Sequence, residues 1–130
     1  MRQKRERSVG TTLDVMEFFE TSPEGLRAYE KICRILGKLG NYEVRVTKSQ
    51  VAFRRKRGFA YIWTPARYLH RPAAPAVLSI ALGRHDGSSR FKEVVHPSPA
   101  HWMHHLEIYD ANDIDDEVTR WLTEAAQRVG

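Results

Sequence analysis

The stretch YEVRVTKSQVAFRRKRGFAYIWT, residues 42–64, decides the fold. Tyr42, Val44 and Val46 alternate with Glu43, Arg45 and Thr47. Val51 and Phe53 then alternate with Gln50, Ala52, Arg54 and Lys56, and after Gly58 the run Phe59–Thr64 is aromatic and β-rich. Successive side chains leave a pleated backbone on opposite sides, so a period of two marks a strand with one buried face. Three such runs joined by short polar turns predict an antiparallel meander over 42–47, 50–56 and 59–64.

Further along, Pro65, Pro72 and Pro75 make residues 65–75 a loop with room for a single helical turn. Ala76–Leu82 is a near-continuous apolar run, which predicts a central strand. Residues 83–89 read as a turn and 90–96 as a fifth strand, broken by Pro97 and Pro99. His101–Tyr109 is a sixth. A last helix is expected to be capped by Asn112, with Asp113, Asp115, Asp116 and Glu117 in its first turns, where the helix dipole favours acids. Its core stripe would be Ile114, Val118, Trp121, Leu122 and Ala125.

On the N-terminal side, Ser22-Pro23-Glu24 is a helix start: a cap, a proline at the first helical position, then an acid. Leu26, Tyr29, Ile32, Cys33, Leu36 and Leu39 follow at helical spacing, and Gly40-Asn41 ends the element. Residues 12–20 read as a shorter helix capped by Thr12, with Leu13, Val15, Met16, Phe18 and Phe19 turned to the domain. Residues 1–11 are expected to be a disordered basic tail. The expected fold class is α+β, one domain over residues 12–130. It is a two-layer arrangement in which a mostly antiparallel sheet of about five to six strands is flanked by N- and C-terminal helices.

Composition narrows the function. The chain has 130 residues and is 42% hydrophobic, enough for one core without disulfides or a structural metal. No apolar run approaches the length that spans a bilayer, and no apolar segment follows the basic start, so neither a membrane anchor nor a secretory signal is expected. The single cysteine, Cys33, excludes an internal disulfide, and a reducing cytoplasm is the expected setting. On the apolar side of its helix the thiol behaves as a small hydrophobe. The net charge is +5, unevenly placed. Basic residues gather in 2–7 and 45–57, and acids in 107–117. Basic surfaces attract phosphates.

Pleat parity suggests where such a surface forms. With helices on one side of the sheet, the other side would collect Lys48, Gln50, Arg54, Lys92, Trp102 and His104, while His101 (if the strand starts early enough), His105 and Glu107 would share the opposite face of their strand. One bulge would reverse this assignment. Arg54, Lys48 and Lys92 would supply charge, Gln50 and His104 directional hydrogen bonds, and Trp102 a stacking surface. His96, His101, His104 and His105 lie close in sequence, but His101 and His105 are ~13 Å apart on a strand, too far to chelate one ion. No metal site and no cofactor are expected. Phe53, Phe59, Tyr61 and Trp63 interleave with the basic run in a manner suited to stacking nucleic-acid bases, although Phe53 falls on the core parity.

Four strings occur together: Val46-Thr-Lys-Ser-Gln-Val-Ala-Phe53, Arg57-Gly-Phe-Ala-Tyr-Ile-Trp63, Arg90-Phe-Lys-Glu-Val-Val95 and Trp102-Met-His-His105. With them the sequence resembles the bacterial domain-of-unknown-function family DUF5655 over roughly residues 16–127. It is loosely similar to helix–sheet–helix domains of the YdhG type, some of which are suspected ligand or iron carriers. The resemblance implies a compact α+β domain, some of whose members are associated with nuclease or DNA-modification proteins. It hands over no catalytic residues. It does place Lys48, Gln50, Lys92, Glu93, His104 and His105 within the shared strings. The resulting expectation is a non-catalytic domain that holds an anionic ligand on an open sheet face. That ligand would be nucleic acid or a small phosphorylated or carboxylated metabolite, held by Lys48, Gln50, Arg54, Lys92, Glu93, Trp102, His104 and His105. The alternatives are an enzyme using Lys48, Glu93 and His104, and a protein-interaction module that forms a homodimer.

Overall fold

In the computed structural model of the chain, the structure describes residues 12–65 and 73–130. The expected tail, the side chain of Thr12 and the stretch 66–72 of the proline-containing loop lie outside the described residues. Among the described residues there are three α-helices: α1 (Thr12–Phe18), α2 (Pro23–Leu39) and α3 (Asp116–Arg128). Between α2 and α3 the described residues form six strands: β1 (Glu43–Val46), β2 (Val51–Arg54), β3 (Gly58–Trp63), β4 (Ala76–Leu82), β5 (Phe91–Ser98) and β6 (His101–Ile108). They form one antiparallel sheet in the order β1-β2-β3-β4-β6-β5. The expected α+β class, a sheet with helices from both ends of the chain, is what the molecule has.

The local chemistry explains most boundaries. Ser22 caps α2 by accepting the Gly25 amide proton at 3.2 Å, and its hydroxyl donates to the Pro75 carbonyl at 3.0 Å. One side chain thus starts a helix and ties it to the entry of β4. Gly40, at φ 132°, ends α2 in a conformation that a side chain would disfavour. The buried line of α2 is Gly25, Ala28, Ile32 and Leu36, with Leu26, Tyr29, Cys33 and Leu39 half-buried beside it. At the C-terminal end the cap lies one turn later than expected. Asp110 caps a short 3-10 turn over Ala111–Asp113, and Asp115, not Asn112, caps α3 through the Val118 amide at 3.1 Å. In α1, Val15 and Phe18 are buried, as is Phe19 just beyond, but Leu13 and Met16 stand 75% and 54% exposed, contrary to the expected packing. The helix has one inward face, and those two lie outside it.

The helices cover one face of the sheet, and among the described residues no helix lies on the other, the helix-free face. Val44, Val51, Phe53, Ile62, Leu78, Ile80, Leu82, Leu106 and Ile108 meet Ile32, Leu36, Val118, Leu122 and Ala125 in one core. Each large side chain withdrawn from water there contributes about 1.5–3 kcal/mol. β4 is central and buried along its whole length. β5 does not stop at Pro97 but continues to Ser98. It is an edge strand, where proline's missing amide hydrogen breaks no ladder bond on the outer side.

Three bulges interrupt the ladders, one between β2 and β3 and two between β5 and β6, the last of them between Val95 and Ser98. Arg54 pairs with Gly58 and Phe53 with Ala60, which leaves Phe59 as an extra residue, and Phe59 and Ala60 are both wholly buried in the core. Likewise Phe91 pairs with Leu106 and Glu93 with His105, which makes Lys92 the extra residue of β5.

Candidate functional site: the helix-free sheet face

The register aligns one residue from every strand across the face opposite the helices. The row runs Arg45, Ala52, Tyr61, Ser79, His105, Glu93. Trp63, Val77 and Glu107 form the next row on three of these strands. Ser79 sits at the centre. Its Oγ lies 3.3 Å from the Trp63 indole nitrogen and 2.7 Å from His105 Nδ1. The indole N–H can only donate, so Ser79 accepts from it. With the imidazole hydrogen on Nε2, His105 Nδ1 accepts the hydroxyl hydrogen of Ser79 and both oxygen contacts are satisfied. Burial lowers the His105 pKa, and the Glu93 charge across the strand opposes that shift. In that tautomer the neutral imidazole offers an Nε2–H donor. Tyr61 lies along its strand over Gly58. A Cβ built at Gly58 would come within 2.3 Å of the Tyr61 hydroxyl oxygen, so the absent side chain lets the ring lie down. Tyr61, Trp63 and His105 therefore form a polar aromatic platform.

The expected ligand residues divide into three groups. Arg54, Lys92, Glu93 and His105 share the helix-free side. Lys92 is there because of its bulge, and its ammonium pairs with Glu107 at 3.0 Å. Lys48 and Gln50 lie in the β1–β2 turn, off the strands, and Lys48 lines a cleft with Asp14, Glu17 and Glu20. Trp102 and His104 are on the helix side, which corrects the expectation that they would join Arg54 and Lys92. His104 pairs with Val94 and Ile80 in a core row, and its exposure is 0%. Its Nε2 accepts the Asp86 amide proton at 3.0 Å, so Nδ1 carries the ring hydrogen toward the Trp102 carbonyl at 3.1 Å. Burial lowers its pKa, and the backbone contacts at Trp102 and Ile80 only partly oppose this. Trp102 does not offer a clear stacking face either. His96 lies parallel to its ring at a centroid distance of 3.4 Å, and His85 meets its edge at 5.3 Å. The grouping of Lys48, Glu93 and His104 as an acid–base set is not assembled, because Glu93 and His104 point to opposite sides of the sheet.

Much of the charge is structural. Arg55 reaches the carbonyls of Leu39, Asn41 and Ala126 at 3.0–3.3 Å, so it binds the C-terminal ends of α2 and α3 together. Arg90 holds Asp115, Glu117 and the Asp113 carbonyl at the start of α3. Among the described residues no group of three or more His, Cys, Asp or Glu side chains is placed to hold a metal ion, and no helix is long and apolar enough to cross a membrane. Sequence reasoning did not place Ser79, Tyr61 and Trp63 together. The available signal was Ser79, the lone hydroxyl in the otherwise apolar run Ala76–Leu82.

The molecule is thus an α+β domain with one sheet face covered by helices and the other built around a bonded Trp–Ser–His row. It belongs to the family described as a domain of unknown function, DUF5655, whose model matches residues 15–127. No curated protein and no solved structure matches the chain, and the looser likeness to YdhG-type domains has no counterpart in these findings.

Proposed function

We propose that this domain is a non-catalytic binding module whose helix-free sheet face holds an anionic ligand with a planar group. The observation that carries the reading is the Trp63–Ser79–His105 chain beside Tyr61. Internal hydrogen bonds fix the platform, which lowers the entropy that binding must overcome. The planar group would stack on Tyr61 and Trp63, the His105 Nε2–H would donate to it, and Arg54 with Lys92 would meet its charge. Both ligand kinds remain within this reading: nucleic acid, whose exposed bases stack on aromatics, and a small phosphorylated or carboxylated metabolite.

Glu93, His105 and Ser79 are residue types found in nucleophilic relays, but their setting favours binding over catalysis. Ser79 is only 4% exposed and its oxygen already accepts from Trp63. In mid-sheet the neighbouring amides are committed to the ladder, so they offer no donors to a developing oxyanion.

The test is an NMR titration with adenosine monophosphate and with a short thymidine oligonucleotide. Shifts should gather on Tyr61, Trp63, Ser79 and His105. Tyr61→Ala and Arg54→Ala should each weaken binding roughly tenfold, the scale of one charge-assisted or stacking contact, while Trp102→Phe should leave it unchanged. Oligonucleotide affinity should fall with salt by about 0.7 log unit per decade for each phosphate contacted. Shifts confined to other surfaces, with Tyr61→Ala silent, would refute the reading.

A further inference from the structure

The opposite end of the strands from the acid-lined Lys48 cleft holds a second cluster of cations. Carrying the β4–β6 register one step beyond Leu82–Trp102 brings Gly83 opposite His101. Arg128, from the last turn of α3, lies against this spot: a Cβ built at Gly83 would come within 2.9 Å of its Nε. Its Nη2 donates to the Ala100 carbonyl, beside His101. Its Nη1 is buried with no partner. Arg57, in the turn before β3, is exposed, and carrying the β3–β4 register three residues beyond Ala60–Ile80 sets it opposite Gly83 as well. Elsewhere Arg84 pairs with Glu124 and Asp86, Arg90 with Asp115 and Glu117, and Lys92 with Glu107. Among the described residues Arg57 and Arg128 pair with no acid.

We propose that Arg57, His101 and Arg128 form a seat for a phosphate group at this end of the sheet. Two guanidinium groups and an imidazole suit a tetrahedral anion with several oxygens, and Arg128, with one N–H that lacks an acceptor, gains one by turning toward the anion. The local field agrees with this. Burial lowers the His101 pKa, and the charges of Arg128 and then Arg57 lower it further, with no acid opposing them. Cations gathered here without counter-charge favour an anion. The seat is independent of the platform, because His101 and His105 are four residues apart on one strand, ~13 Å at ~3.3 Å per residue.

The experiment follows the imidazole resonances of the whole chain through a pH titration, in inorganic phosphate and in chloride at equal ionic strength. Phosphate should raise the His101 pKa more than those of His85 and His96, which act as internal controls. Arg57→Gln, at an exposed position that leaves the fold intact, should weaken the phosphate effect roughly tenfold. Arg128→Lys should weaken it too, because lysine lacks the forked donor. Identical His101 titration in both salts, or an Arg57→Gln variant with undiminished phosphate response, overturns the seat. Adenosine monophosphate and oligothymidylate then separate the sources. Equal affinity per phosphate supports a metabolite phosphoryl group, and tighter, steeply salt-dependent oligonucleotide binding supports a nucleic-acid backbone. Tyr61→Ala should leave the His101 response to inorganic phosphate unchanged, so the seat and the platform fail separately.

Discussion

Asp86 shows how much one side chain carries in this fold. Its carboxylate accepts from the Trp121 indole at 3.1 Å, from Arg84 at 3.1 Å and from the Ser88 amide at 2.9 Å, while its own amide serves His104. Burial pulls its pKa up, but these donors outweigh it and the net direction is down. The β4–β5 connection is thereby fastened to α3 and to the core imidazole. Asp86→Ala strips the Trp121 indole and the Ser88 amide of an acceptor, which should cost about 2–3 kcal/mol in urea unfolding. A loss near zero would show that water replaces the carboxylate. Gly58 makes the opposite kind of test. Gly58→Ala pushes the Tyr61 ring off the sheet. Because the clash is with the far end of a side chain, stability should fall by only about 1 kcal/mol, while binding on the platform should fall as much as in Tyr61→Ala.

At the level of elements, charge and helix direction explain one another. Both α2 and α3 end where Arg55 sits, so their C-terminal carbonyls converge on one guanidinium. Acids gather at the opposite end, where Asp115, Asp116 and Glu117 open α3. This agrees with the helix dipoles. The basic run 45–57 is therefore partly a packing device, and only Arg54 and Arg45 of its members lie on the helix-free face. Arg55→Ala removes three carbonyl contacts that join two helices and should cost about 2–3 kcal/mol by urea denaturation. Arg55→Lys should recover only part, because an ammonium lacks the fork that reaches separate carbonyls. Full recovery by lysine would reduce the role of Arg55 to charge alone.

The whole molecule should respond to pH in two steps. His104 and His105 are held neutral by burial, with pKa values below the ordinary 6.5. The unfolded chain therefore binds more protons once pH drops below about 6.5, and stability falls as pH falls through that window. Asp86 and Asp115 also sit below the ordinary 3.8. Their contribution is present above about 3.8 and is lost as pH falls further. The urea midpoint should thus decline between about pH 7 and pH 5, then decline again below about pH 4. In His104→Gln the first decline should be shallower, although the variant is less stable at neutral pH. A midpoint flat from about pH 7 to pH 5 in the wild type would contradict the buried neutral imidazoles.

What the sequence by itself determined was the local order: helix starts at Ser22-Pro23, strands from the period of two, a central β4 from its near-continuous apolar run, and helices at both ends. These follow from capping, pleating and burial, which act over a few residues. It also placed Trp102 and His104 together on one side of their strand. Which side that was, and what joined it, only the tertiary structure decided. The bulges at Phe59 and Lys92 each shift one strand by a residue, and a shift of one residue moves side chains to the other face. Strand order decided the rest: β6 lies between β4 and β5, so His105 meets Ser79 and Glu93 from positions 26 residues back and 12 residues back along the chain. Local propensity does not encode that meeting, because it depends on which strands pair once the core has closed.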